Sequence, residues 1–307
     1  MKAYVLARLG QSVVVLFGAV AISFVLTNVI GSPADALAVP WMTEEQRRAL
    51  DAQLGYDLPV LPRFLHYVTG VVHGDFGISY RTNRGALQEV GTALPNTLLL
   101  VVCALTLAVG IALVLAVYSV RRRDSGSDRV LRGGIGLLQG MPDFWLALML
   151  LLAFSVGLAW LPSFGFEQAS SLLLPTLALS LPIVPILFRI FRGQLLDVLA
   201  SDFVEAMRAR GLSEPVIVYR HGLPNIASTS AALIAFQLGH LIAGDMIIES
   251  VFAWPGIGNL MISAVLARDF AVVECVIVVV AALYVGLNLL ADLVQLWVDP
   301  RVRVGAA

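Results

Sequence analysis

The stretch DFVEAMRARGLSEPVIVYRHGLPN, Asp202–Asn225, decides how the rest of the chain is read. It is charged and turn-bearing, yet it lies between two apolar runs. Asp202 predicts a helix cap, with Glu205 three residues on closing a capping box. Phe203 and Met207 are four apart and share a face with Ala206. Arg208 and Arg210 fall in the last turn, where the helix dipole favours cations. Gly211 permits the left-handed turn that ends such a helix. Glu214 and Pro215 open a second short helix through Arg220, which Pro224 is expected to stop. The result is an amphipathic helix–glycine–helix insert. Physics alone allows two readings of it: a helix lying on anionic headgroups, or a knob that fits a groove on a soluble partner.

The surroundings of the insert say what solvent the chain meets. The 307 residues are 59% hydrophobic and 13% charged. Soluble domains carry about 25% charged residues, and a chain of this length cannot hide so much apolar surface from water. Six runs reach the length of a membrane helix: Leu9–Ile30, Pro95–Ser119, Phe144–Trp160, Leu172–Phe188, Ile226–Ile248 and Ala271–Leu290. The fold class expected is therefore an all-α polytopic membrane protein with six transmembrane helices. Residues 1–30 form the first span, 31–94 a small extracytoplasmic lobe, and 95–307 a five-span core with the insert at 193–225. The start resembles a secretory signal, with Lys2, Arg8, an apolar run and Ala36-Leu37-Ala38. That run is longer than a typical signal core of roughly 7–15 residues, so a retained span is expected.

Charge sets the orientation. With the N-terminus in the cytoplasm, fourteen Lys and Arg residues fall on inside segments and six on outside segments. Positive charge favours the cytoplasmic side, so both termini are expected in the cytoplasm. In the outer lobe, Thr43 and Gln46 read as a capping box and Gly55 as a helix stop. Pro62 suits the first turn of a helix carrying Phe64, Leu65 and Val68. His73–Arg81, HGDFGISYR, reads as a glycine-rich turn back toward the membrane. Pro175, Pro182 and Pro185 predict a kinked fourth span.

Several chemistries are missing. The sole lysine is Lys2, and a P-loop needs a lysine to reach phosphates, so the chain has no nucleotide site of its own. No His/Cys group has metal-ligand spacing, and no serine sits in an activating motif. Neither catalysis, a bound metal nor a nucleic-acid partner is expected. Cys103 and Cys275 lie in apolar runs and read as small hydrophobes. His240, inside span five, is expected to be buried.

The insert also carries a family spacing. Glu205-Ala206-Met207, three residues, Gly211, nine residues, then His221-Gly222-Leu223-Pro224 resembles the EAA–G–IxLP loop of bacterial ABC importer permeases. Five of its seven specified positions match; Met207 and His221 replace alanine and isoleucine. HGDFGISY at 73–80 resembles the GDxGxS turn of dipeptide and oligopeptide permeases. ESVFAWPGIG at 249–258 is similar to their E-x-x-F-x-x-P-G-x-G stretch, and the ending Asp292 through Asp299-Pro300-Arg301 is similar too. The chain thus resembles, over nearly its whole length, the first permease of a dipeptide/oligopeptide importer, a group that includes nickel permeases.

The resemblance implies roles. Asp202, Glu205, Ala206, Met207, Gly211, Leu223 and Pro224 would dock the ATPases. Phe252, Pro255, Gly256 and Gly258, with Gly74, Asp75 and Gly77, would form extracytoplasmic gate or turn elements, Pro255–Gly258 being a turn. It also implies a heterodimer with a second permease, two ATPase subunits that bind ATP and Mg, and a solute-binding protein outside. Asp245 and Glu249 are four apart at the outer end of span five. With His240 they are candidates for the substrate path, or for hydrogen bonds to neighbouring helices. The kinked fourth span leaves an alternative, an ion-driven secondary transporter working alone.

Overall fold

A computed structural model describes residues 2–30, 42–53, 58–244 and 246–298. The helices are α1 (Lys2–Ile30), α2 (Glu44–Gln53), α3 (Val60–His73), α4 (Ala86–Arg121), α5 (Gly126–Gln139), α6 (Asp143–Leu150), α7 (Leu173–Ser180), α8 (Val184–Leu199), α9 (Asp202–Ala209), α10 (Glu214–Val216), α11 (Leu223–Gly244), α12 (Met246–Val251), α13 (Ile257–Leu266) and α14 (Phe270–Val298). No strand occurs among the described residues; Ile78 and Gly85 make one isolated antiparallel bridge.

Three of these helices are long and apolar enough to cross a bilayer alone: Arg8–Thr27 within α1, Ala86–Arg121 and Phe270–Asp292. Two more spans result if each bent pair counts as one. These are Gly126–Gln139 with Asp143–Gly157, bent by 104°, and Ala169–Ser180 with Val184–Leu199, bent by 60°. Proline explains both breaks. Pro142 is the N-cap of α6, and Pro182 lies in the turn between α7 and α8. Each lacks a donor and crowds the preceding turn, so the helix ends and restarts. The kink expected of span four is therefore present, and its second half runs on to Leu199.

The chain divides into two compact units. One comprises Leu99–Phe252 and Leu287 onward; the other comprises Lys2–Leu98 and Ala253–Gly286. In the first, α4 buries Ala104, Ala108, Ala112 and Ala116 at four-residue spacing. That is a stripe of small side chains along one face, which lets neighbouring backbones approach closely. In the second, Ala86, Val90 and Ala93 of α4 pack with Ile257 and Ala264 of α13 and with Val272, Val276 and Val280 of α14. Cys275 is buried in this cluster as a small hydrophobe, and both cysteines are free.

Thr43 and Gln46 form the expected box: the Thr43 amide donates to Gln46 Oε1 at 2.9 Å and the Gln46 amide to Thr43 Oγ1 at 3.3 Å. Gly55 lies outside the described residues, as does Asp299–Arg301. Helix α3 lies against α1. Phe64 meets Phe24 edge-on at 5.3 Å, Tyr67 stacks on Phe24 at 5.8 Å, and the Tyr67 hydroxyl bonds Ser23 at 2.9 Å. Its Val60, Leu61, Leu65 and Val72 stay exposed. An amphipathic helix beside a span, with bare apolar side chains, suits the headgroup layer rather than open water. Helix α4 starts at Ala86, upstream of the expected Pro95, and carries Pro95 within it.

Candidate functional site

The insert folds as two helical pieces about Gly211, with three local corrections. Ser201, not Asp202, occupies the N-cap of α9, and it makes no side-chain cap bond. Its hydroxyl is taken by the Val198 carbonyl at 2.5 Å. Asp202 is then the first helical residue, where its charge still favours the dipole. Second, the buried anchor of α9 is Val204, fully enclosed, while Phe203 is 41% exposed and Ala206 is exposed with it. Met207 is half-buried. Third, Pro224 stops nothing. Residues 214–244 are helical without interruption, passing from α10 through a π-helical stretch, Ile217–Gly222, into α11. The wider π turn shifts the hydrogen-bond register just where Pro224 lacks a donor, so the chain absorbs the proline.

Gly211 has φ +81°, the left-handed turn expected of it. Across that turn Arg208 grips Glu214, Nε donating to Oε1 at 2.6 Å and Nη2 to Oε2 at 3.3 Å. Arg208 Nη1 also donates to the Leu199 carbonyl at 3.2 Å. The Arg208 hydrogen bond holds the Glu214 carboxyl below the usual glutamate range. Gly222 faces α8: a Cβ there would meet Leu195 Cδ1 at 2.9 Å. Leu223 is half-buried at the start of α11.

Behind the insert lies a polar node the sequence did not announce. Asp128, in the first turn of α5, is fully buried. Its amide donates to the N-cap Ser125 hydroxyl at 3.2 Å. Its carboxylate accepts from the Ser119 hydroxyl and, at 3.3 Å, from the Asp124 amide. Arg132 Nε lies 3.2 Å and Arg192 Nη2 3.5 Å from Oδ2. Arg192 Nε also donates to Ser119 at 2.7 Å. Desolvation pushes the Asp128 carboxyl up, but the Ser119 hydroxyl, the Asp124 amide and the two guanidiniums together hold it below the usual aspartate range. The node fixes α8, which leads into the insert, to the ends of α4 and α5.

The Phe252–Gly258 stretch is a clamped bend followed by a helix. Pro255 and Gly256 turn, but Ile257 and Gly258 already belong to α13, which corrects the expected four-residue turn. The bend is tied to α4: Trp254 Nε1 donates to the Asn96 carbonyl at 3.0 Å, Asn96 Nδ2 donates to the Pro255 carbonyl at 2.8 Å, and the Ile257 amide donates to Thr97 Oγ1 at 2.8 Å. Phe252 and Trp254 are buried. The second glycine-rich turn is built similarly. Gly74 caps α3 at φ 75°, Gly77 has φ 83°, and the Gly77 amide donates to Asp75 Oδ1 at 3.0 Å. Ser79 at its end donates to Asp269, just ahead of α14.

The substrate-path candidates are Asp245, Glu249 and His240. Asp245 lies outside the described residues. Glu249 is buried and interacts within the chain. His240 is exposed, against the expectation of burial: it lies on the bare face of α11, beside exposed Phe236. Glu274 accepts from Thr27 Oγ1 at 2.5 Å.

Comparison with known proteins bears on this assembly of parts. Residues 108–304 match the family described as "Binding-protein-dependent transport system inner membrane component". The chain belongs to that family. It is a permease subunit of an ABC importer, an inner-membrane transport component and not itself an enzyme. The match spans the Asp128 node, the insert and the clamped bend, and it decides against an ion-driven transporter working alone. Over 308 residues the chain is 32% identical to the Glutathione transport system permease protein GsiC of Escherichia coli (strain K12), covering 99% of each chain. The protein of the same name from Salmonella choleraesuis (strain SC-B67) is 31% identical over 306 residues, again with 99% of each covered. The relation thus extends beyond the shared core to α1–α3 and the GDFGIS turn.

Proposed function

We propose that this permease is one of two unlike permeases in an importer for dipeptides or oligopeptides. The observation that carries the reading is full-length similarity to permeases of a peptide, glutathione, in a chain whose insert keeps the EAA–G–LP spacing. Six spans, both termini in the cytoplasm and the insert on the cytoplasmic face are the arrangement that the positive-inside rule favours. A solute-binding protein delivers cargo outside. Two ATPases hold ATP and Mg below. Their closure pushes α9, whose exposed Phe203 and Ala206 offer a small apolar knob. The Arg208–Glu214 grip keeps the knob rigid against the start of α10, so the push reaches the spans as alternating access.

Co-purification of the tagged chain tests the assembly, and uptake of labelled dipeptide by cells carrying the complete system tests the cargo. Uptake of nickel or another small polar solute in place of peptide would overturn the peptide reading. Glu205→Lys or Gly211→Pro should abolish uptake while membrane levels of the chain persist. Normal uptake by both variants refutes the coupling role.

A further inference from the structure

Between the GDFGIS turn, the start of α4 and the residue ahead of α14, Thr82, Glu89 and Asp269 line one cavity of about 10 Å3 and bring buried oxygen atoms to it. Three of them lack a hydrogen-bond partner: Thr82 Oγ1, Glu89 Oε1 and Asp269 Oδ1. Asp269 is only 3% exposed, and its other oxygen is already engaged by Ser79. Buried polar atoms in folded proteins are nearly always satisfied, and carboxylate oxygens can be satisfied only by donors. Leu260 and Ala264 close the apolar side. The space is about that of a single water-sized group. Arg81 and Glu89 also line an adjoining cleft of about 360 Å3, whose other wall includes Asn96, Pro255 and Asn259.

The chemistry of the missing group follows from this lining. It is small, it donates to three acceptors, and it meets two carboxylates with one guanidinium at the edge. A primary ammonium has three N–H donors and one positive charge, and its size is close to that of water. Water supplies only two donors and no charge. The cleft alongside has room for the rest of a small peptide, amide-bearing Asn96 and Asn259 on its wall, and Arg81 to meet a carboxylate.

We propose that Thr82, Glu89 and Asp269 form a socket for the amino terminus of a peptide, with Arg81 of the adjoining cleft taking a carboxylate. The proposal rests on the peptide-import reading and places a specificity site on the permease itself, separate from the binding protein. The purified importer complex, without its binding protein, is titrated with Ala-Ala, N-acetyl-Ala-Ala and Ala-Ala amide, with dissociation constants read by saturation-transfer NMR. Wild type should bind Ala-Ala at least about tenfold more tightly than the acetylated form, the loss expected when hydrogen bonds to a charged group go. Glu89→Gln should weaken Ala-Ala by a similar factor and erase the preference over the acetylated peptide. Arg81→Gln should do so for the preference over the amide. Asp269→Asn also disturbs the Ser79 anchor, so Thr82→Val serves as the second socket variant. Equal binding of free and acetylated peptide, no binding of Ala-Ala, or displacement of Ala-Ala by calcium would each overturn the socket, the last by making it a metal-ion site. Dipeptide uptake by the complete system without such binding removes the socket and leaves peptide import standing. Absence of dipeptide uptake removes the import reading first.

Discussion

Replacing Asp128 with alanine tests the polar node behind the insert. The substitution leaves the buried Ser119 hydroxyl without its acceptor and Arg192, 19% exposed, without its carboxylate partner but with its Ser119 bond, while Arg132, 42% exposed, turns to solvent. Removing one partner of a buried ion pair costs about 3–5 kcal/mol, and a surface pair about 0–1 kcal/mol. With one guanidinium in each environment, the expected loss is about 2–4 kcal/mol. Asp128→Asn should lose less, because the amide oxygen still accepts from Ser119. Thermal unfolding of the purified complex, followed by size-exclusion fluorescence, reads the change. A cycle with Arg192→Gln should return a coupling of more than about 1 kcal/mol. A loss below about 1 kcal/mol for Asp128→Ala, unchanged by salt, would refute the reasoning, since the guanidiniums would then rest equally well in solvent. ATP hydrolysis measured alongside should continue while uptake falls, because the node sits on α8, the helix that carries the insert.

Other substitutions probe single features. Gly211→Ala forces a side chain into φ +81° and should cost about 1–2 kcal/mol, with Gly211→Asn milder, read as unfolding midpoints. Thr97→Val leaves the Ile257 amide buried and unpaired; a destabilisation of about 1–3 kcal/mol is expected, and easier proteolysis at the Ala253–Gly256 bend would report it. Gly70→Ala places a Cβ 2.7 Å from the Asp75 carbonyl oxygen, so the GDFGIS turn should shift, which a lowered unfolding midpoint would detect. Glu214 and Asp128 both hold their carboxyls below the ordinary range. Their stabilisation is complete above the unfolded-state values of about 4 and is lost as pH falls through the lower folded-state values. Acid unfolding of Asp128→Asn should therefore be the shallower of the two profiles when compared with wild type.

Much of the fold is legible from periodicity and proline alone. Long apolar runs, Gly211, the Thr43–Gln46 box and the kink near Pro182 are local properties, written within a turn or two of chain. The insert's spacing is local too, which is why it led to the family. Contacts across the sequence are another matter. Nothing near Asp128 announces that Arg192 will reach it, nor does Ser79 announce Asp269. Trp254 and Asn96 are far apart in the chain, and their bond depends on α4 and the bend meeting. His240 lies exposed; a helix pattern gives a face but not which face meets protein. Pro224 sits within a continuous helix because a π turn precedes it, and such a turn has no sequence signature as plain as the proline it accommodates.

The uninterrupted run from Glu214 to Gly244 has a mechanical meaning. At about 1.5 Å per residue it is a rod of roughly 45 Å, with its foot beside the Gly211 bend. A rod without a joint cannot let its two ends move independently. A tilt of a few degrees at the foot sweeps the far end sideways by several ångströms, so a small nudge at one end becomes a wide excursion at the other.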